Sequence, residues 1–145
     1  MLYNHQDLKV LKDEIEFVDT AVIPFASADM DDGAKSNASD MEMIQMVTIQ
    51  LEKQLKGRLF ITPAVMTVDR ITSVLESYIQ QLKSYGFKKV IVLTHHDLEL
   101  EDAHFIVLNR IPLEDMSLEM KMSLINDEVK DVMKRIISIW NSSNK

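Results

Sequence analysis

The chain has 145 residues, 46 % apolar and 27 % charged, with three Gly, three Pro, ten Met and no Cys. A chain of that length buries roughly two-thirds of its unfolded surface, which excludes a disordered segment, a collagen-like fibre and a disulfide scaffold, while the missing Cys excludes thiol catalysis and thiolate metal sites. The formal charge of −7, from 16 Lys+Arg against 23 Asp+Glu, opposes phosphate backbones, so neither nucleic acid nor an anionic membrane is an expected partner.

Met1 to Ile15 interleaves Asp7, Lys9, Lys12, Asp13 and Glu14 with apolar groups and lacks the apolar run of a signal peptide. Runs such as Val90 to Leu93 and Phe105 to Leu108 are far short of the ~20 residues that span a bilayer. The expectation is a cytoplasmic protein without a membrane span.

Leu8, Leu11, Ile15 and Val18 recur at helical steps and predict a short amphipathic helix from Gln6 to Phe17. Thr20 to Phe25 is β-branched and apolar and reads as a first strand, followed by a polar loop, Ser27 to Ala38. Ser39-Asp40-Met41-Glu42 has capping-box spacing, so a second helix is expected to start at Ser39 and to run to Lys56, with Gly57 just past its end. On that reading Ser39→Ala costs about 1 kcal/mol. Arg58 to Thr62 predicts a second strand closed by Pro63, and Thr67 or Asp69 opens a third helix with an apolar stripe of Ile71, Val74, Leu75, Tyr78, Ile79 and Leu82, ending at Gly86.

Phe87 to Thr94 and His104 to Ile111 lack alternation, as central strands covered on both faces do. Pro112 stops the latter, and Asp115 or Ser117 caps a last helix carrying Ile125, Val129, Val132, Met133, Ile136, Ile137 and Trp140 before a frayed tail, 141–145. Strands and helices alternating at βαβ spacing predict an α/β fold, a single three-layer domain over residues 1–145 with a mainly parallel sheet of about four strands and helices on both faces.

Asp29, Asp31, Asp40, His95, His96 and Asp97 all follow strands on the carboxyl side of such a sheet, where open α/β folds bind ligands. A solvated acidic loop is the plain alternative, with Asp40 merely favouring the positive end of a helix. Glycine and acid positions in the loop miss the EF-hand pattern, since Gly33 and Asp40 fall where that loop needs an oxygen ligand and a Glu. Adjacent His95 and His96 point to opposite faces at a strand end and do not grip one ion together. Three glycines and no Walker, G-x-G-x-x-G or G-x-S-x-G motif disfavour nucleotide binding and serine hydrolysis. The methionines, including Met41, Met43, Met46, Met116, Met120, Met122 and Met133, read as core filling or as an adaptable surface.

Phe17-Val18-Asp19-Thr20-Ala21-Val22-Ile23-Pro24, Leu51-Glu52-Lys53-Gln54-Leu55-Lys56-Gly57-Arg58 and Ile111-Pro112-Leu113-Glu114 resemble blocks of the YpiF-like family, uncharacterised bacterial proteins, in that family's order. A second resemblance is to creatininase-type amidohydrolases, α/β enzymes with two divalent metals. Pro24-Phe25-Ala26-Ser27-Ala28-Asp29-Met30-Asp31 is similar to their first metal-binding segment, Asp40 to a later Asp, and Gly86 to His96 to the strand ending in their Asn-Gly-His. That resemblance implies Asp29, Asp31, Asp40 and His96 as metal-facing positions for Zn or Mn, with Asp31 and His96 catalytic. It departs where the family's Glu and His stand as Asp29 and Asp31 and its Asn-Gly as Thr94-His95.

The leading functional expectation is a non-catalytic binding or regulatory module on an enzyme-like scaffold, with no resident cofactor. The alternative is a reduced creatininase-like, metal-dependent amidohydrolase. A protein partner or self-association is expected to use Leu113, Met116 and Trp140, because the connection from Ile111 to Met116 is apolar where loops are usually polar, and Trp140 lies near a chain end; the alternative for Leu113 is that it packs inward as the staple at the start of the last helix.

Overall fold

A computed structural model describes residues 1–111, 113 and 115–142. Pro112 and Glu114, and with them the expected strand stop and part of the third family-like block, lie outside the described residues, as does most of the tail.

The chain opens with helix α1, His5–Leu11, shorter than the expected span because the backbone tightens into a 3-10 turn at Lys12–Glu14. Asn4 caps α1: its side chain accepts the Asp7 amide at 2.7 Å, and the Asp7 carboxylate returns to the Leu2 amide at 2.9 Å. Strand β1, Thr20–Ala28, leads to helix α2, Ala34–Gln54; strands β2, Leu59–Ile61, and β3, Val65–Val68, then precede helix α3, Ser73–Tyr85. Strands β4, Lys89–Thr94, and β5, His104–Val107, and helix α4, Leu118–Ser142, complete the order.

All strand pairings are parallel, in the order β2-β1-β4-β5, with β3 also on β1. The expected α/β sheet with helices on both faces is therefore present, with one strand more than anticipated. That strand, β3, is the continuation of β2. Val22 pairs with Ile61 and Phe25 with Val65, so the segment around Pro63 carries one more residue than β1 does over the same span.

The cause lies in β1. The Val22 carbonyl accepts the Thr62 amide and the Asp19 carbonyl the Lys88 and Lys89 amides, so even-numbered residues of β1 turn their backbone groups toward β2 and β3, odd-numbered ones toward β4. Pro24, in mid-strand, has no N–H to offer on the β2 side, and the neighbouring ladder breaks there. Pro63 thus closes β2, as its residue type predicts, and pairing with β1 resumes in β3 one residue out of step.

Two apolar layers enclose the sheet. On one face Met43, Ile44, Val47 and Leu51 of α2 meet Ile125, Val129, Val132 and Ile136 of α4 over Val22, Ile91 and Leu93; on the other, Leu11 and Leu75, Ile79 and Leu82 of α3 cover Ile23, Phe25, Val90 and Val92. Each fully buried side chain of this kind contributes about 1.5–3 kcal/mol. The third helix buries a narrower stripe than expected, since Ile71 and Val74 precede or start the helix at its exposed end. Gly86 ends it at φ 131°, a conformation strained for any L side chain, with Ile15 only 3.3 Å from where a Cβ would stand.

Three expectations need correction. Helix α2 starts at Ala34, after Gly33, and not at Ser39, so the Ser39 hydroxyl caps nothing; it accepts the Leu113 amide at 3.4 Å. Leu113 is 1 % exposed and sits in the α2–α4 core, which removes it from any partner surface: an apolar side chain in this connection is held inward by the two helices it bridges. Met116 and Trp140 also pack against that core, half-buried, and the Trp140 indole N–H donates to the Thr20 hydroxyl at 2.9 Å beneath the Arg58 guanidinium. Asn141 and Ser142, expected to fray, remain helical.

Leu113→Ala is expected to lower unfolding free energy by about 2–4 kcal/mol in denaturant titrations, the cost of a cavity between two helices. Ser39→Ala is expected to cost well under that, because the hydroxyl makes one long hydrogen bond rather than a cap.

Candidate functional site

From β1 the chain moves outward to β2 and β3, then crosses back to β4 on the opposite side of β1. The carboxyl ends of β1 and β4 therefore flank the switch point of the sheet, where adjoining connections diverge and leave a crevice. A cleft of about 640 Å³ opens there, lined by residues of the β1–α2 loop and first turns of α2, the β3–α3 turn, and the β4 and β5 ends.

Asn37, in the first turn of α2, fixes the loop. Its amide nitrogen donates to the Ser27 carbonyl at 2.7 Å and its oxygen accepts the Asp29 amide at 3.3 Å, docking the helix start on the end of β1. Asp29 Oδ1 accepts the Asp31 amide at 2.9 Å, and its Oδ2 lies 2.2 Å from where a Cβ on Gly33 would stand, so a larger residue at 33 would require the Asp29 carboxylate to turn away. Gly33 supplies no side-chain cap, and α2 opens toward the cleft.

The two histidines diverge, as a strand end dictates. His95 turns to the α2 side, its side chain 1 % exposed and its Nε2 3.9 Å from Asp40, which also lies 3.5 Å from Arg110. Neither His95 nitrogen has a hydrogen-bond partner. Burial pushes its pKa down, overriding the pull of Asp40. His96 forms part of the cleft wall. Its Nε2 accepts the Ser27 amide at 3.1 Å, so the ring proton resides on Nδ1, which is buried without a partner. Such a donor costs about 1–3 kcal/mol. Burial, then Arg70 and Arg110, push the His96 pKa down.

Arg70 is held by its backbone: it and Asp69 adopt left-handed φ of 53° and 52°, and the Arg70 amide donates to the Ser27 hydroxyl at 2.9 Å. Two consecutive non-glycine residues in that region are costly and persist where surrounding structure enforces them. Arg70 and Arg110 are the cleft residues that sequence reasoning passed over. Arg70 read as part of a helix start, and only the strand order brings it beside His96.

Asp29, Asp31, Asp40 and His96 all line this cleft, while Asp97 is exposed outside its lining. Among the described residues, however, no group of three or more His, Asp or Glu side chains is placed to hold a metal. Asp29 is engaged by its own loop and Asp40 faces His95 and Arg110.

The depressed pKa values of His95 and His96 set a pH dependence. Both bind fewer protons folded than unfolded, so stability is fully present above the ordinary value of 6.5 and declines as pH falls below it. His104, lowered by burial and by Lys89 and Lys83, adds in the same direction. The thermal midpoint is expected to fall between pH 7.5 and pH 5.5, and to fall less in His95→Gln and His96→Gln, as followed by circular dichroism.

No helix among the described residues is long and apolar enough to cross a membrane. No solved structure matches the chain. It is 29 % identical over 136 residues, 88 % of this chain and 89 % of the relative, to the protein of Bacillus subtilis (strain 168) called "Uncharacterized protein YpiF". Residues 9–140 match the family described as "Protein of unknown function (DUF2487)", and the chain belongs to that family.

Proposed function

We propose that this chain is a non-catalytic binding module that takes a small polar ligand in the switch-point cleft. The observation that carries the reading is the state of His96. A general base needs a nitrogen lone pair directed at substrate, and the one basic nitrogen of this imidazole is occupied by the Ser27 amide, leaving a donor. The second imidazole, His95, is turned away from the cleft into the α2 side. An imidazole whose lone pair is already occupied is suited to holding the wall of a ligand site rather than to moving a ligand's protons. A regulatory role follows if occupancy changes the β3–α3 turn, whose Arg70 is anchored on Ser27.

Screening small polar compounds by protein-observed NMR is expected to give binders whose shifts cluster at Ser27, Asp29 to Asn37, Asp69, Arg70 and His96. Shifts confined to other surfaces would overturn the proposal. Protein purified without chelator is expected to carry well under one equivalent of zinc, manganese or iron by elemental analysis, because carboxylates with one His make a poor transition-metal set. Stoichiometric metal together with amide hydrolysis, both lost in Asp31→Ala and His96→Ala, would establish the amidohydrolase instead.

A further inference from the structure

We infer that a second copy of this chain covers the open edge of β3, the two β3 strands pairing antiparallel about a two-fold axis at Met66 and joining both sheets into one. The inference stands apart from the cleft and does not depend on a ligand there.

Among the described residues three strands, β2, β3 and β5, have one side without a strand neighbour. Folded proteins cover or guard such edges, because a row of unmet N–H and C=O groups is a template for another chain. Two of the three are guarded here. At β2 the Ile61 amide donates to the Met1 carbonyl at 2.9 Å and Leu2 forms a parallel bridge with Ile61, so the first residues lie along that edge. At β5 the Arg135 guanidinium donates to the Val107 carbonyl at 2.9 Å, which sets a charge where a further strand would pair.

No such guard stands at β3. Even-numbered residues of β1 face this side, and Ala26 is in register with Met66, so Ala26 bonds the Val65 carbonyl and the Thr67 amide while Met66 turns its own backbone groups outward. Among the described residues no hydrogen bond reaches the Met66 amide or carbonyl. On the same edge the Val68 carbonyl accepts the Ile71 amide at 3.0 Å, and the Val68 amide is left over. The strand, Val65-Met66-Thr67-Val68, carries no charge and no proline, and Met66 and Val68 are 50 % and 56 % exposed.

Self-complementarity selects a second copy as the occupant. A two-fold axis at Met66 sets this residue against its own equivalent as a hydrogen-bonded pair, each amide donating to the other's carbonyl. The same register brings Val68 opposite Ala64 of the other copy. Ala64 lines a groove with Ile49 and Pro63, so the exposed Val68 side chain gains an apolar neighbourhood. Asp69 follows toward the end of that groove lined by Lys53, whose side chain has no ion pair among the described residues, while Glu52 there lies 3.6 Å from the Met1 ammonium. Two such short edges bury less than the ~1,200 Å² of a standard interface, so the dimer is weak and reversible.

The test is sedimentation velocity of the full chain from about 10 μM to about 1 mM, where weak contacts populate, in ~0.15 M salt to screen the charge of each copy. A reversible shift from monomer to dimer is expected, and Met66→Lys is expected to abolish it while leaving the circular dichroism unchanged. Amide hydrogen exchange is expected to show Thr67 protected at every concentration, with Met66 and Val68 gaining protection only as the dimer fills. The chain has no Cys, so Met66→Cys supplies a single thiol. Hydrogen-bonded antiparallel partners stand about 5.5 Å apart at Cα, within disulfide reach, and oxidation is expected to link this variant faster than Phe17→Cys, whose site is 68 % exposed. A monomer at every concentration, a dimer that leaves the Met66 and Val68 amides unprotected, or cross-linking no faster than in Phe17→Cys would each overturn the inference. Should Met66→Lys unfold, the exchange pattern and the cross-linking rates still decide.

Discussion

A missing backbone donor in the middle of the central strand organises this molecule. Pro24 stands in β1 with neighbours on both sides, a position where proline is ordinarily excluded because the ladder needs its N–H. Here the silent side of the residue meets the bulge at Pro63, so the ladder loses little. The extra residue advances β3 relative to β2, and the turn beyond β3 places Arg70 over the end of β1, with its amide on Ser27. The Ser27 amide in turn holds His96 from the other side. One serine thereby joins the three segments that wall the cleft, and its geometry descends from an irregularity three residues upstream.

Much of this frame was legible in the sequence. Val90 to Leu93 lacks alternation because both faces of β4 are covered, and Gly86 closes α3 where the apolar stripe runs out. Strand order groups Asp29, Asp31, Asp40, His95, His96 and Asp97 at the carboxyl edge, and all but His95 and Asp97 line the cleft. The failures have local causes. Ser39 carries a better capping signal than Gly33, yet the helix starts earlier because Asn37 docks its first turn on β1, a tertiary contact that propensity does not contain. β3 was hidden because Pro63 reads as a terminator, and the resumed pairing of Val65 with Phe25 is a tertiary contact that local sequence does not carry. Leu113 reads either as a partner contact or as an inward staple of the last helix, and the closeness of α2 and α4 decides for the core.

The cleft was harder to read than the fold because its chemistry depends on which atom of a side chain is already in use. A strand-end histidine beside acids looks like a base in a one-dimensional record. In three dimensions the basic nitrogen of His96 is consumed by a backbone amide, and what remains is a donor. Arg70 and Arg110 arrive from separate turns and carry no spacing that links them to His96.

The paired prolines also shape how this sequence can drift. At position 24 a residue with an N–H would bring a buried donor to a stretch where the partner backbone is spread by its extra residue, while removing the bulge alone would draw a regular ladder against a strand that cannot answer it. Each change is unfavourable in the presence of the other's native state and less so when both occur, so the two positions are epistatic. Relatives that regularise one segment are expected to have regularised the other, and with the offset gone the turn carrying Arg70 would no longer reach Ser27.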